Sequence, residues 1–191
     1  MTDALIVIDV QESFRQRPSW AQVSNPDIVE DVNLLVAQAR EREALVVWVL
    51  HSEPGSGGVF DPDSGFVALA AELRPVAGEP VLVKTTRNAF TTTELARILQ
   101  RHGVGRVIVS GIQTEQCCET TARVAADLGF DVVFVTEATA TFPITRPDTG
   151  AALAAEAVIE RTEFALAGRF ARIATLTDAF SDPLTGSAVA S

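Results

Sequence analysis

The stretch Gly103–Phe130, GVGRVIVSGIQTEQCCETTARVAADLGF, predicts a buried strand that leads through a sharp loop into a helix. The strand is the β-branched run Arg106–Ser110, which is typical of a parallel strand covered on both faces. In this prediction Gly111 ends the strand, Thr114 caps the helix and Gly129 stops it. A strand, loop and helix in this order indicate an α/β fold.

Both cysteines of the chain, Cys117 and Cys118, fall in the first turn of this helix. The free N–H groups and the dipole at a helix start favour an anion, so we expect a lowered thiol pKa here. A cysteine at such a position is well placed to act as a nucleophile. Position alone leaves a second interpretation equally open, in which both cysteines are small core residues.

Strands and helices alternate along the rest of the chain, which predicts a three-layer α/β domain with a mainly parallel, doubly wound sheet. The other expected strands lie at 4–8, 45–50, 79–83, 131–135 and 171–175. The other expected helices lie at 26–42, 67–73, 92–102 and 148–166. The 191 residues, 47% of them hydrophobic, suit a single domain, expected over residues 1–180 with a frayed tail at 181–191.

The composition argues against several classes of partner and cofactor. The net charge is −10 at pH 7 and no basic cluster is present, which argues against nucleic acid and against an anionic membrane surface. No apolar run approaches the ~20 residues that span a bilayer, and no signal peptide is evident. The two adjacent cysteines form no disulfide framework, so we expect a cytoplasmic protein. Without metal-ligand spacings or a glycine-rich phosphate motif, we expect no metal and no cofactor.

Three chemically distinct side chains follow strands that should flank the topological switch of the sheet. Asp9 follows the first strand, Lys84 the third and Cys117 the fourth. Ligands bind beyond the carboxyl ends of such strands, so the three residues can converge on one crevice. There a thiolate would attack a carbonyl, the ammonium would hold the charge, and the carboxylate would carry the proton to the leaving nitrogen. Taken alone, Asp9 would be interpreted as a turn residue and Lys84 as a surface residue. The combination of these two residues with Cys117 favours an active site.

With these residues the chain resembles the isochorismatase-like cysteine hydrolases. The motifs that carry the resemblance lie within residues 4–144 and are Asp9-Val10-Gln11, Lys84 with Ala89-Phe90, and Gly111–Cys117 with Thr121-Ala122. The resemblance implies a Rossmann-like sheet of six strands in the order 3-2-1-4-5-6. It also implies a Cys–Asp–Lys triad that cleaves small amides, ureides or carbamoyl compounds through a thioester acyl-enzyme.

The resemblance further implies a cis peptide bond at Ile112–Gln113. The backbone N–H groups of Gln113 and Cys117 would then point at the developing oxyanion. Cys117 falls on the nucleophile position, whereas Cys118 falls where the family usually has valine. Cys118 is therefore expected to pack in the core.

Departures from the family pattern narrow the expected activity. Nicotinamidases carry an Asp-x-His metal motif after the second strand, but residues 49–53 read VLHSE, so a metal-dependent nicotinamidase is not expected. True isochorismatases lack the nucleophilic cysteine, so Cys117 favours an amide-type hydrolase. Two alternatives stay open: isochorismatase-type hydrolysis of a vinyl ether, and a catalytically silent module that binds a metabolite.

The substrate pocket is expected to be closed by the loops at 14–20, 52–66 and 139–147, from which no substrate can be read. The candidate pocket residues are Phe14, Trp20, His51, Phe90 and Thr114. The expected partner is a small-molecule substrate. Family members are usually dimers or tetramers, so the resemblance also implies a homo-oligomer.

Overall fold

A parallel sheet forms the middle layer of the computed structural model, which describes residues 2–182. The strands are β1 (Thr2–Ile8), β2 (Leu45–His51), β3 (Val81–Lys84), β4 (Val104–Ile112), β5 (Asp131–Ala140), β6 (Ile144–Thr145), β7 (Ala152–Leu153) and β8 (Arg172–Ala174). Six of them form the sheet β3-β2-β1-β4-β5-β8, in which every neighbouring pair is parallel. The predicted fold and strand order are confirmed, with β8 as the sixth strand of the sheet.

Helices cover both faces of this sheet. They are α1 (Glu12–Arg15), α2 (Ile28–Glu41), α3 (Leu95–Arg101), α4 (Glu119–Asp127) and α5 (Ala155–Leu166). Short 3₁₀ turns occur at Pro18–Gln22 and Pro62–Ser64, and one turn of π-helix at Thr114–Cys118 leads directly into α4. Within residues 2–182 no helix has both the length and the apolar character that a membrane crossing requires.

The continuous apolar run in β1 is explained by two separate cores. Leu5 and Val7 pack on one face with the buried side of α2. Ala4, Ile6 and Ile8 pack on the other face with α3, α4 and the end of α5. All five side chains are fully buried, so β1 has no solvent-facing side on which polar residues could alternate.

Two expected helices differ in the structure. Residues 67–73 form an irregular segment instead of a helix, because this segment bonds to the chain after β1: Glu12 N–H donates to Ala68 O and Ala70 N–H donates to Val10 O. The helix expected at 148–166 begins only at Ala155, because residues 144–153 fold into the antiparallel hairpin of β6 and β7. In both places backbone pairing of the extended type overrides local helix propensity.

The C-terminal segment is described as far as Asp182. The Arg106 guanidinium donates to Ser181 O at 3.3 Å and lies 3.4 Å from the Asp182 carboxylate, so these two residues contact β4. The rest of the tail expected at 181–191, residues 183–191, lies outside the described residues.

Gly111 brings β4 unusually close to β1. The sequence predicted that the strand ends here, but β4 continues to Ile112 and pairs Gly111 with Ile8. Gly111 has φ +128°, and a Cβ built on it would lie 1.9 Å from Ile8 O. Only glycine fits a backbone contact this close. The end of β1, just before Asp9, is therefore held directly against the strand that precedes Cys117.

Replacing Gly111 with alanine is expected to destabilise the fold by about 3 kcal/mol, because the added methyl group must displace the backbone of β1. Urea unfolding measures this change. Gly129→Ala is the matched control, since Gly129 has φ +90° but a Cβ added to it would have nothing within 4 Å. The control should lose only about 1 kcal/mol. Equal losses in the two variants would contradict the proposed clash.

Candidate active site

The structure brings Asp9, Lys84 and Cys117 together at the carboxyl edge of the sheet. Asp9 follows β1, Lys84 is the last residue of β3, and Cys117 lies in the π-turn after β4. Lys84 Nζ donates to Asp9 Oδ2 at 2.7 Å and to Cys117 Sγ at 3.3 Å. Asp9 and Lys84 are fully buried, and Cys117 is 6% exposed.

Lys84 is the only lysine of the chain. A buried ammonium group is costly unless its three protons find acceptors. Besides Asp9 and Cys117, Lys84 Nζ lies 3.4 Å from His51 Nδ1, which completes a set of three acceptors. The ammonium therefore stands at the centre of the cluster, with the thiol on one side and the carboxylate and imidazole on the others.

The surroundings of His51 favour its neutral imidazole form. Burial lowers the pKa of His51, and the nearby Lys84 charge lowers it further. A neutral imidazole that accepts at Nδ1 carries its proton on Nε2, which lies 3.1 Å from Glu53 Oε1. Gln11 fixes the end of β2: its Oε1 accepts from His51 N–H at 2.7 Å and its Nε2 donates to His51 O at 3.0 Å.

The Cys117 thiol is protonated in the resting site, contrary to the sequence-based expectation of a lowered pKa. Burial raises the pKa of Cys117 to about 12; the Asp9 carboxylate also raises it, and Lys84 only partly opposes this. The loss of solvent therefore raises the pKa of the thiol by more than the helix dipole and the ammonium lower it. A thiol in this state needs a base to remove its proton during reaction.

Alkylation of Cys117 by iodoacetamide is expected to be slower at neutral pH than that of an exposed cysteine, because only the thiolate reacts. Its rate should keep rising with pH between about pH 7 and pH 10, whereas an ordinary thiol reaches a plateau near pH 9 to 10. Peptide mass spectrometry of samples quenched over time gives the rate. The urea-unfolded chain is the control, and a plateau at neutral pH in the folded protein would contradict the raised pKa.

Asp9 is the base that the geometry offers. Burial raises its pKa, while the charge and hydrogen bond of Lys84 oppose that rise. Oδ2 is taken by Lys84, but Oδ1 has no hydrogen-bond partner among the described residues. The carboxylate lies close enough to Cys117 for each group to shift the pKa of the other. A carboxylate of raised pKa with one free oxygen is suited to accept the thiol proton.

The loop before Cys117 contains the cis peptide bond expected at Ile112–Gln113. Gln113 precedes the π-turn in an extended conformation, and its carbonyl accepts from the N–H groups of Gln116 and Cys118, both at 3.2 Å. Gln113 and Cys117 both line the pocket described next. Cys118 is fully buried in the core between the sheet and α4.

A pocket of about 630 Å³ opens over Cys117 and Asp9, within the size range of small-molecule sites. One wall is aromatic: the Phe14 ring meets the Phe60 ring edge-on at 5.0 Å and stacks on the Phe142 ring at 6.1 Å. Apart from Asp9 and Cys117, the polar side chains of the wall are Arg17, Ser19, His51, Glu53, Arg87, Gln113, Gln116 and Thr145.

Two of the five candidate pocket residues, Phe14 and His51, line this pocket, and three do not. Phe90 turns toward the helical layer on the other side and stacks on Phe130 at 6.3 Å. Thr114 is fully buried, and its hydroxyl donates to Thr139 Oγ1 at 2.8 Å. Trp20 lies behind the lining, with its ring 6.4 Å from that of Phe142.

Several lining residues were not singled out from the sequence. Phe60 and Glu53 come from the 52–66 loop and Phe142 from the 139–147 loop, so the expected loops do close the pocket. Arg17 lies in the 14–20 loop, which was also expected to close the pocket. Arg87 follows β3 in a segment that was not expected to line the pocket. Only its position three residues after Lys84, beyond a strand end, could have pointed to it.

No metal site is evident in the described part of the chain, where no three His, Cys, Asp or Glu side chains are grouped suitably for an ion. Both ring nitrogens of His51 are already in contact with neighbouring side chains. Its Nδ1 faces the Lys84 ammonium and its Nε2 faces Glu53, so neither ring nitrogen is directed at an open coordination site.

The fold and the site define a three-layer α/β protein with a buried cysteine, lysine and aspartate at the carboxyl edge of its sheet. The isochorismatase domain model matches residues 3–177, and the chain belongs to the isochorismatase family of hydrolases.

Known proteins with related sequences or structures include a nicotinamidase, a streptothricin hydrolase and a cysteine hydrolase. Nicotinamidase 3 of Arabidopsis thaliana is 50% identical over 152 residues, which cover 73% of each chain. Streptothricin hydrolase of Streptomyces noursei is 33% identical over 164 residues, or 85% of this chain and 59% of the relative. The crystal structure of a cysteine hydrolase from Pseudomonas syringae matches with a TM-score of 0.83 and 25% identity, over 92% of this chain and 89% of that one.

Proposed function

We propose that the protein hydrolyses a C–N bond of a small amide, ureide or carbamoyl compound through a thioester on Cys117. The observation that carries this proposal is the Lys84 ammonium, which contacts the Asp9 carboxylate at 2.7 Å and Cys117 Sγ at 3.3 Å beneath the pocket. The relatives named for nicotinamide and streptothricin hydrolysis support it.

In the first half of the reaction, Asp9 takes the proton from Cys117 as Sγ attacks the substrate carbonyl carbon. A new S–C bond forms and the carbonyl electron pair moves to oxygen, where the backbone N–H groups of Gln113 and Cys117 are proposed to bind the oxyanion. The oxyanion then reforms the carbonyl and the C–N bond breaks. Asp9 returns the proton to the departing nitrogen, which leaves as an amine or ammonia.

In the second half, water enters the place that the amine has left. Asp9 removes one proton from the water as its oxygen attacks the thioester carbon, and the S–C bond breaks. The proton then returns to Cys117, and the acid product leaves. Lys84 stays bonded to Asp9 and Sγ throughout, so it stabilises the thiolate that forms transiently in each half.

Intact-mass spectrometry tests this proposal directly. The protein is mixed with a panel of small amides, ureides and carbamoyl compounds and quenched with acid at short times. We expect a mass increase equal to the acyl group of at least one compound, located on the peptide that contains Cys117. The Cys117→Ala protein should show none. Turnover of a compound without any adduct, and with equal rates in Cys117→Ala, would refute the covalent route.

A further inference from the structure

The charges around the pocket differ in sign from those of the molecule as a whole. The chain has 25 acidic and 15 basic residues, yet two arginines, Arg17 and Arg87, line the pocket. Within the described part of the chain, Asp9 and Glu53 are the acidic lining residues, and Asp9 is neutralised by its contact with Lys84. Outside the catalytic cluster the lining therefore carries an excess of positive charge.

The guanidinium of Arg87 is largely free to bind a ligand. Its closest carboxylate oxygen, Glu53 Oε1, is 3.9 Å away, and both side chains are about half exposed, at 56% and 45%. An ion pair of this length in contact with solvent contributes little. Glu53 makes its shorter contact with His51 Nε2, at 3.1 Å. Most of the five N–H donors of Arg87 are therefore available.

Arg17 is the other arginine of the lining. It follows α1 and precedes the 3₁₀ turn at Pro18–Gln22. Among residues 2–182, no carboxylate lies within 4.0 Å of its guanidinium. In contrast, Arg15, two residues earlier, is held by Glu12 and Glu72. Arg15 is thus paired within the protein, whereas Arg17, which faces the pocket, has no acidic partner among the described residues.

Arg87 is connected to the catalytic cluster by short contacts. Its Nη1 lies 3.3 Å from His51 Nε2, and His51 Nδ1 lies 3.4 Å from Lys84 Nζ, which in turn contacts Cys117 Sγ. One imidazole ring and one ammonium group therefore separate the guanidinium from the nucleophile. This spacing suits a small molecule that has its amide at Cys117 and a charged group at its other end.

We propose that the substrate is an anionic amide: its carboxylate binds Arg87 and Arg17, and its carbon skeleton lies against Phe14, Phe60 and Phe142. Arginine recognises carboxylates through paired N–H donors, and the aromatic wall favours an apolar body between the two polar ends. This inference rests on the proposed function, because it assigns a class of substrate to the same pocket.

Equilibrium binding tests the proposal without requiring turnover. The probes are succinamate, glutaramate, adipamate and 4-acetamidobenzoate, each compared with its neutral methyl ester. Calorimetric titration of the Cys117→Ala protein measures the Kd values. We expect at least one acid to bind about tenfold more tightly than its ester, as one charge-assisted carboxylate contact would give. Arg87→Gln should remove most of this preference, and Arg17→Gln should reduce it, while both leave the ester affinities unchanged.

The matched control is Arg169→Gln. Arg169 lines a recess at the amino ends of β5 and β8, the opposite edge of the sheet, so its replacement lowers the net charge equally without touching the pocket. The acid preference should survive in this variant. An equal loss in Arg169→Gln, or no preference for any acid over its ester, would overturn the anion site.

Hydrolysis of the same probes by the unsubstituted protein distinguishes the two proposals. An arginine-dependent preference for an acid, without adduct or turnover from any compound tested, would support the anion site and count against the proposed hydrolase. Hydrolysis through Cys117 that is equally fast for acids and esters, and insensitive to Arg87→Gln, would support the hydrolase and overturn the anion site.

Discussion

The Cys117→Ala protein is expected to lose hydrolysis of C–N substrates by at least about four powers of ten in kcat, because no other side chain can form the thioester. Cys117 is the cysteine that lines the pocket and contacts Lys84. The loss should appear in kcat rather than in KM, since a methyl group in place of the thiol leaves the walls of the pocket intact. Steady-state kinetics on the compound identified by the mass screen give both values.

Cys118→Ala is the matched control for this variant. Cys118 is fully buried among apolar side chains, so its truncation should cost about 1 kcal/mol of stability and leave kcat within about threefold. If Cys117→Ala retained hydrolysis of a vinyl ether, the isochorismatase-type alternative would replace the thioester route. If the unsubstituted protein bound metabolites but turned none over, the binding-module alternative would be favoured.

The Lys84→Met protein is expected to lose about 3 to 5 kcal/mol of folding stability as well as its activity. The ammonium is fully buried and 2.7 Å from Asp9, so its removal leaves an uncompensated carboxylate in the core. Methionine keeps the length and apolar stem of lysine, which limits any packing loss. Urea unfolding measures the stability change, and alkylation of Cys117 should slow further, because the charge that stabilises the thiolate is gone.

A second substitution, at Asp9, distinguishes the loss of folding stability in Lys84→Met from its loss of hydrolysis. Asp9→Asn added to Lys84→Met removes the stranded charge, so the double variant should recover a large part of the lost stability. It should recover no hydrolysis, because it has neither the base nor the ammonium. A stability loss below about 1 kcal/mol in Lys84→Met would show that the buried pair does not hold the site together.

The contact between Asp9, Lys84 and Cys117 could be predicted from the sequence because each of these residues lies near the carboxyl end of a strand. Asp9, Lys84 and Cys117 come after apolar runs that end abruptly, and parallel strands deliver such residues to one edge of the sheet. The motif around Cys117 also distinguished it from Cys118, and the structure places only Cys117 at the pocket.

The pKa of Cys117 could not be predicted in the same way. Its place at a helix start and the presence of a lysine both argued for a lowered value, and both features are present. Their effect is exceeded by burial, which raises the pKa to about 12, and burial depends on how the loops pack over the thiol. A thiol with this pKa needs a base, and in the proposed mechanism that base is Asp9.

The sequence by itself determined the parallel α/β architecture and the position of Asp9, Lys84 and Cys117 near the carboxyl edge of the sheet, because the apolar pattern that marks a strand is a local property. Only the tertiary structure decided that Phe90 and Thr114 turn away from the pocket while Phe60 and Arg87 line it. The reason is that the direction of a loop side chain depends on distant packing partners, such as Phe130 for Phe90 and Thr139 for Thr114. The same long-range packing removed solvent from Cys117.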